Sequence, residues 1–269
     1  MGGDLFDRFT DWTTQADAIL QYSIRELCLD DPVGELGQTA FTQPALFVVN
    51  AMTYRARLED GNPAPSWVAG HSLGEYNALL AAGVVDFATG LRLVQRRGRM
   101  MGEVSGGGMA AVIGIDPTRI EQILTQSDAG KRLDVANFNS PEQTVLAGPL
   151  ADIAEVKTQF EAAGVRAFIP LNVSAPFHSR YMRPLEAEFS TFLATFPLAP
   201  PLIPVVANAT GRPYEHDALQ QTLARQIGSS VRWLDSMRFL LDQGATEFEE
   251  TGPGSVLTKL IRQIRKSRA

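Results

Sequence analysis

A mixed α/β fold, with a small domain inserted into a larger one, is what this sequence predicts. Two shifts in pattern carry the prediction. Up to about residue 106, and again beyond about 174, helical stretches alternate with short apolar runs, the mark of buried strands between helices. Over 107–173, short strands and helices follow the order βαββαβ, that of a ferredoxin-like unit. An insertion within an α/β parent accounts for both shifts. The expected division is 1–106 with 174–269 as the large subdomain and 107–173 as the small one.

The elements follow in order. The segment 13–28 has helical apolar spacing. Pro44 stands where a second helix, 45–52, is expected to open, a position that tolerates proline. After a proline-rich turn, 65–69 reads as a buried strand. Beyond a glycine-flanked turn, 75–82 reads as a helix stopped by Gly83, and 87–101 as another. Ser105-Gly106-Gly107-Gly108 is expected to be a flexible joint. In the insertion, strands are expected at 109–113, 134–137, 143–147 and 166–169, and helices at 117–125 and 151–163. Two more strands are expected at 203–206 and 247–250, among longer helices.

Composition narrows the function classes. With 269 residues, 45% of them hydrophobic and 20% charged, the chain can bury a sizeable core without disulfides or metals. Cys28 is the single cysteine, so no internal disulfide forms, and a reducing, cytoplasmic setting is expected. No apolar run approaches the roughly 18 residues of a membrane span, and the N-terminus has no leader pattern. A formal net charge of −6 argues against a nucleic-acid surface. Basic residues cluster at Arg92–Arg99 and Lys259–Arg268. Both read as solvated helix faces, and the second also as a surface for an acidic partner.

The chemistry centres on Gly70-His71-Ser72-Leu73-Gly74, a Gly-x-Ser-x-Gly turn between a strand and a helix. Such an elbow projects its serine from a strand end on an α/β-hydrolase-like parent with a parallel sheet. Gly70 and Gly74 supply the room that the tight turn needs. The helix N-terminus behind Ser72 favours an oxyanion, with the N–H of Leu73 as first donor. A serine needs a base, and the chain offers His71, His178 and His216. His71 adjoins the serine and should leave the elbow in another direction. His216 lies in a polar stretch that reads as a surface loop. His178, at a strand-to-helix junction in Ser174-Ala175-Pro176-Phe177-His178-Ser179, suits the base, although a helix-capping histidine would sit there too.

The run from Gly70 to Leu79, Gly-His-Ser-Leu-Gly-Glu-Tyr-Asn-Ala-Leu, resembles the nucleophile segment of malonyl-CoA:acyl-carrier-protein transacylases. It is most similar to the free-standing, trans-acting acyltransferases of modular polyketide synthases. Thr42-Gln43-Pro44-Ala45-Leu46, Arg97-Gly98, Asn137-Phe138-Asn139-Ser140-Pro141, Ala175-Pro176-Phe177-His178 and the run Thr251–Leu257 agree with it in order, so the resemblance covers nearly the whole chain. It implies that Ser72 carries the acyl group as an ester and that His178 is general base, then acid. It implies that a backbone carbonyl at Gln226 orients the histidine, so that a search for a triad carboxylate fails. Gln43 and His71 would line the pocket by the oxyanion. Arg97 would grip the free carboxylate of a malonyl group, a task that suits a planar guanidinium. Phe177 would crowd a 2-methyl branch. Family members carry an upstream strand and a Gly-Gln-Gly-Ser-Gln loop, and Met1–Phe6 matches the segment that follows it. The loop glutamine, a second oxyanion donor, is not in this sequence.

The implied activity is ping-pong transfer of malonyl, or a closely related carboxylated acyl group, from coenzyme A to the phosphopantetheine thiol of an acyl carrier protein, in polyketide or fatty-acid biosynthesis. Coenzyme A thioester enters as substrate, and no metal or resident cofactor is expected. The carrier would dock on the basic tail and near Arg180 and Arg183, and the chain would act as a monomer. Two other readings stay open: a carrier-thioester hydrolase with the same serine and histidine, and a catalytically silent docking subunit.

Overall fold

The computed structural model describes residues 1–173 and 175–268, and Ser174 and Ala269 lie outside the described residues. The fold is mixed α/β with two sheets. One has three strands: β1 (Val68–Ala69), followed much later in the chain by β6 (Val205–Ala207) and β7 (Arg212–Pro213). The other has four: β2 (Gly107–Ile113), β3 (Asp134–Ser140), β4 (Gln143–Pro149) and β5 (Ala167–Pro170).

The four-stranded sheet has the order β3-β4-β2-β5 and is antiparallel throughout, with Gly107 opposite Pro149 and Ile113 opposite Gln143 in its centre. Helices Pro117–Leu124 and Leu150–Ala162 cover one face, where Ile120, Val156 and Phe160 pack on Val112 and Leu146. The other face presents Met109, Ala111, Val145 and Ala147, and Phe177 packs against it. That contact braces the segment carrying His178 against the inserted sheet. A second tie lies at Val231, which donates to Ala136 O at 2.8 Å and accepts from Phe138 N at 3.0 Å, extending β3 by one residue of the other part of the chain.

The larger part is built on the three-stranded sheet and the helices around it. Phe47, Leu79, Leu91 and Phe189 are wholly buried in its main core. A second apolar cluster, with Val206, Trp233, Leu240 and Ile264, seats the final helix, Val256–Lys266, near β6. Among the described residues, no helix is long and apolar enough to cross a membrane.

Several expectations change here. The sheet of the large part is not wholly parallel: β1 pairs parallel with β6, but β7 turns back antiparallel to β6. The 247–250 segment forms no strand. Its Glu250 carboxylate accepts from Leu257 N and Thr258 N, so it caps the final helix. The 13–28 helix is two, Thr10–Leu20 and Ile24–Leu29, parted where Gln21 turns left-handed and Ser23 caps the second helix through Glu26 N. Pro44 does not open its helix, which starts at Thr39 and runs to Glu59. The Ser105–Gly108 joint is shorter than expected, because Gly107 and Gly108 pair with β4. A Cβ at Gly107 would stand 2.6 Å from Pro176, so glycine here serves close packing instead of flexibility.

Candidate active site

β1 ends at Ala69, and the chain turns at once into the Gly74–Ala81 helix. The turn has no slack. A Cβ on Gly70 would stand 1.9 Å from the carbonyl of Gly74, so only glycine fits. Ser72 itself is left-handed, with φ of 51°, a strained backbone for a residue with a side chain. Asn208, just beyond β6, holds the turn from both sides: its Oδ1 accepts from Ser72 N at 2.7 Å and its Nδ2 donates to Gly70 O at 2.6 Å. Among the described residues, the N–H of Leu73 donates to no protein group.

His178 faces the serine across 2.7 Å, from Nε2 to Oγ. It too is left-handed, with φ of 57°, and is 3% exposed. Its Nδ1 lies 3.0 Å from Gln226 O and 3.2 Å from Ser229 O. Carbonyls only accept, so Nδ1 carries the proton and Nε2 is bare. A bare Nε2 accepts the hydroxyl of Ser72, the arrangement a general base needs. Burial first, then the positive charge of Arg97, pushes the His178 pKa down to about 3, against the two carbonyls that raise it.

Arg97 reaches the same place from the Phe87–Gly102 helix and is 1% exposed. Its Nη1 donates to Gln43 Oε1 at 2.6 Å, and its Nη2 to Gln226 Oε1 at 3.0 Å and to Ser72 Oγ at 3.1 Å. Its Nε is buried with no partner. Burial lowers the pKa of the guanidinium, and Tyr76 and Glu75 oppose it. A buried cation with a free donor beside a serine–histidine pair is a place for an anionic group to pair.

A serine–histidine dyad of this build, on this fold, has relatives. The acyl transferase domain family matches residues 1–269. The polyketide biosynthesis malonyl CoA-acyl carrier protein transacylase BaeC of Bacillus velezensis is 50% identical over 266 residues, which cover 98% of this chain and 92% of BaeC. The chain belongs to the malonyl-CoA:acyl-carrier-protein transacylase family. The polyketide biosynthesis protein ThaF of Burkholderia thailandensis is also 50% identical over 269 residues, 100% of this chain, which spans only 23% of ThaF. A crystal structure of a malonyl CoA-acyl carrier protein transacylase from Burkholderia pseudomallei matches with a TM-score of 0.95 at 50% identity, covering 99% of this chain and 93% of that one.

Within this transacylase fold, Ser72, His178, Arg97, Gln43 and Gln226 meet in one cluster. Phe177 is half-buried beside it. His71 leaves the elbow the other way: its Nε2 lies 2.8 Å from Asn139 Oδ1 and its ring packs by Trp233, so it makes no hydrogen bond in the cluster. His216 is exposed on a short 3-10 turn. Arg180 is held by Asp134, and Arg265 and Arg268 by Thr246 O and Asp242, which leaves Lys259, Arg262 and Lys266 as the exposed, unpaired cations of the tail among the described residues. No group of three or more His, Cys, Asp or Glu among the described residues could hold a metal ion.

Sequence reasoning missed Asn208, Glu75 and Tyr214. Glu75 left a signal: the one acid of the helix behind the nucleophile, in its first turn. Asn208 and Tyr214 left none, because nothing local ties them to a turn more than a hundred residues away.

Proposed function

We propose that this chain transfers a malonyl group from coenzyme A to the phosphopantetheine thiol of an acyl carrier protein, in polyketide biosynthesis, through an ester on Ser72. The observation that carries the reading is the buried Arg97 guanidinium, with its unpartnered Nε, 3.1 Å from the oxygen that faces His178.

The steps follow from that geometry. The Ser72 proton moves to Nε2 of His178 as Oγ bonds the thioester carbon. Negative charge gathers on the carbonyl oxygen, where the N–H of Leu73 and the start of the Gly74–Ala81 helix favour it. The C–S bond then breaks, and His178 returns its proton to the coenzyme A sulfur. The carrier thiol reverses each step and leaves with the malonyl group. Arg97 pairs with the distal carboxylate throughout, so an acetyl group leaves it stranded at a cost of about 1–3 kcal/mol. Phe177 beside the base narrows the room for a 2-methyl branch. One methyl discriminates by only about 1–3 kcal/mol, so slow use of methylmalonyl groups is consistent with it.

Other parts of the reading have narrower support. The carrier docks on the basic tail and near Arg183, where free cations suit an acidic surface. We read 1–106 with 174–269 as an α/β-hydrolase-like subdomain and 107–173 as a ferredoxin-like one. The separate apolar core of the inserted sheet supports that division. The chain acts as a cytoplasmic monomer.

Intact mass after mixing with single acyl-CoA donors tests the reading. Malonyl-CoA should add one malonyl group, which a holo carrier protein then removes, and acetyl-CoA should label far more slowly. Equal labelling by both, or release to water in place of the carrier, would sink it. A pH series tests the base. With the His178 pKa near 3, labelling by acetyl-CoA, which brings no carboxylate, should hold its rate from about pH 8 to about pH 5. A fall centred on 6.5, the ordinary histidine value, would mean that the base is not the buried neutral imidazole.

A further inference from the structure

Glu75 is 0% exposed, on the first turn of the Gly74–Ala81 helix. A carboxylate without water must find its partners in the protein. Glu75 finds three, and among the described residues none is a lysine or arginine. Its Oε1 accepts from the Tyr214 hydroxyl at 2.5 Å and from Asn208 N at 3.1 Å, and its Oε2 accepts from Gln226 Nε2 at 2.9 Å. Burial pushes the carboxyl up to about 7, against the lowering effect of these bonds and of Arg97.

Two of these partners carry the carboxylate's influence into the site. Asn208 is the residue that grips the Ser72 turn from both sides. Gln226 joins more groups still. Its Nε2 donates to Ser72 O at 2.8 Å as well as to Glu75, and its Oε1 accepts from Arg97 at 3.0 Å. A primary amide can turn over and exchange donor for acceptor. Glu75 and the carbonyl of Ser72 together decide which way it faces, since both are acceptors only and each requires the NH₂ group. The oxygen is thereby left for Arg97. Turned over, the amide would set its N–H groups against the guanidinium, donor against donor, and its oxygen against the carboxylate.

We infer that Glu75 is a positioning residue for acyl-group selection: by helping to fix the sense of the Gln226 amide it aims Arg97 at the acyl pocket, although it touches no substrate itself. The inference rests on Arg97 as the malonyl-selecting residue. It adds a buried acid, one side chain removed from Ser72 and Arg97, to the groups that set specificity.

The test uses the full chain at about pH 8, with folding checked by circular dichroism and melting. Single-turnover labelling of Ser72 by malonyl-CoA and by acetyl-CoA gives a preference ratio. Glu75→Gln should lower that ratio roughly tenfold, the effect of one lost bond to a charged group. A merely structural role predicts equal losses with both donors, and that result overturns the inference. If Glu75→Gln does not fold, Tyr214→Phe, which removes one bond, should lower the ratio to a smaller degree, and an unchanged ratio overturns the inference. Arg97→Ala runs alongside. A ratio that falls there and holds in folded Glu75→Gln defeats this inference alone, whereas a ratio that survives Arg97→Ala defeats the selector reading and this inference with it.

Discussion

Ser72→Ala is expected to abolish covalent labelling by malonyl-CoA, and His178→Ala to slow it by about 10²–10⁴-fold, the range of a lost general base. The two effects differ because the two residues do different things. Without the Ser72 oxygen no ester forms at all. Without the imidazole the hydroxyl remains 3.1 Å from Arg97, whose positive charge favours an alkoxide, so some slow attack survives. Intact mass over a time course separates the two outcomes. Continued labelling of Ser72→Ala would move the nucleophile elsewhere. Full-rate labelling of His178→Ala would remove it from the chemistry, whatever its 2.7 Å contact suggests. Circular dichroism of both variants separates lost chemistry from lost fold, since replacing buried His178 leaves a cavity.

Arg97→Ala is expected to reduce the preference for malonyl over acetyl donors by roughly 10²–10³-fold. This corresponds to about 3–4 kcal/mol, the lower part of the range for losing one partner of a buried ion pair. Most of the loss should fall on malonyl-CoA. The acetyl reaction should change much less, because it no longer strands a buried cation but also loses the positive charge beside Ser72 Oγ. Arg97→Lys should recover little, since an ammonium cannot offer two parallel donors to one carboxylate. The measurement is kcat/KM for each donor with the same carrier. A malonyl preference that survives Arg97→Ala would show that something other than this guanidinium reads the acyl group.

The sequence made the main lines of this site legible for a physical reason. The elbow is local: a tight turn needs small residues at fixed places, and Gly70, Ser72 and Gly74 stand within five positions. The strands of the four-stranded sheet were legible too, because each strand and helix has its own period. What the sequence did not reveal rests on particular bonds and backbone angles, some of them close along the chain and some far. The antiparallel turn of β7, the capping role of Glu250 and the break at Gln21 each come from a bond or backbone angle that composition does not encode. The same holds for Asn208, which grips the serine turn across 136 positions. Ser105–Gly108 misled for a different reason, since glycine serves both loose joints and close packing, and only the approach of Pro176 to Gly107 tells them apart.

The two carbonyls that hold His178 belong to the backbone at Gln226 and Ser229. A peptide oxygen survives every substitution of the side chain beside it. A residue-by-residue scan would therefore leave both carbonyls in place and stay blind to their hold on the imidazole. Selection in turn can act on that hold only through the path of the chain between 226 and 229. The side chains there answer to other demands: Gln226 bonds Arg97 and Glu75, Ile227 is buried, and a Cβ on Gly228 would stand 2.3 Å from Glu186.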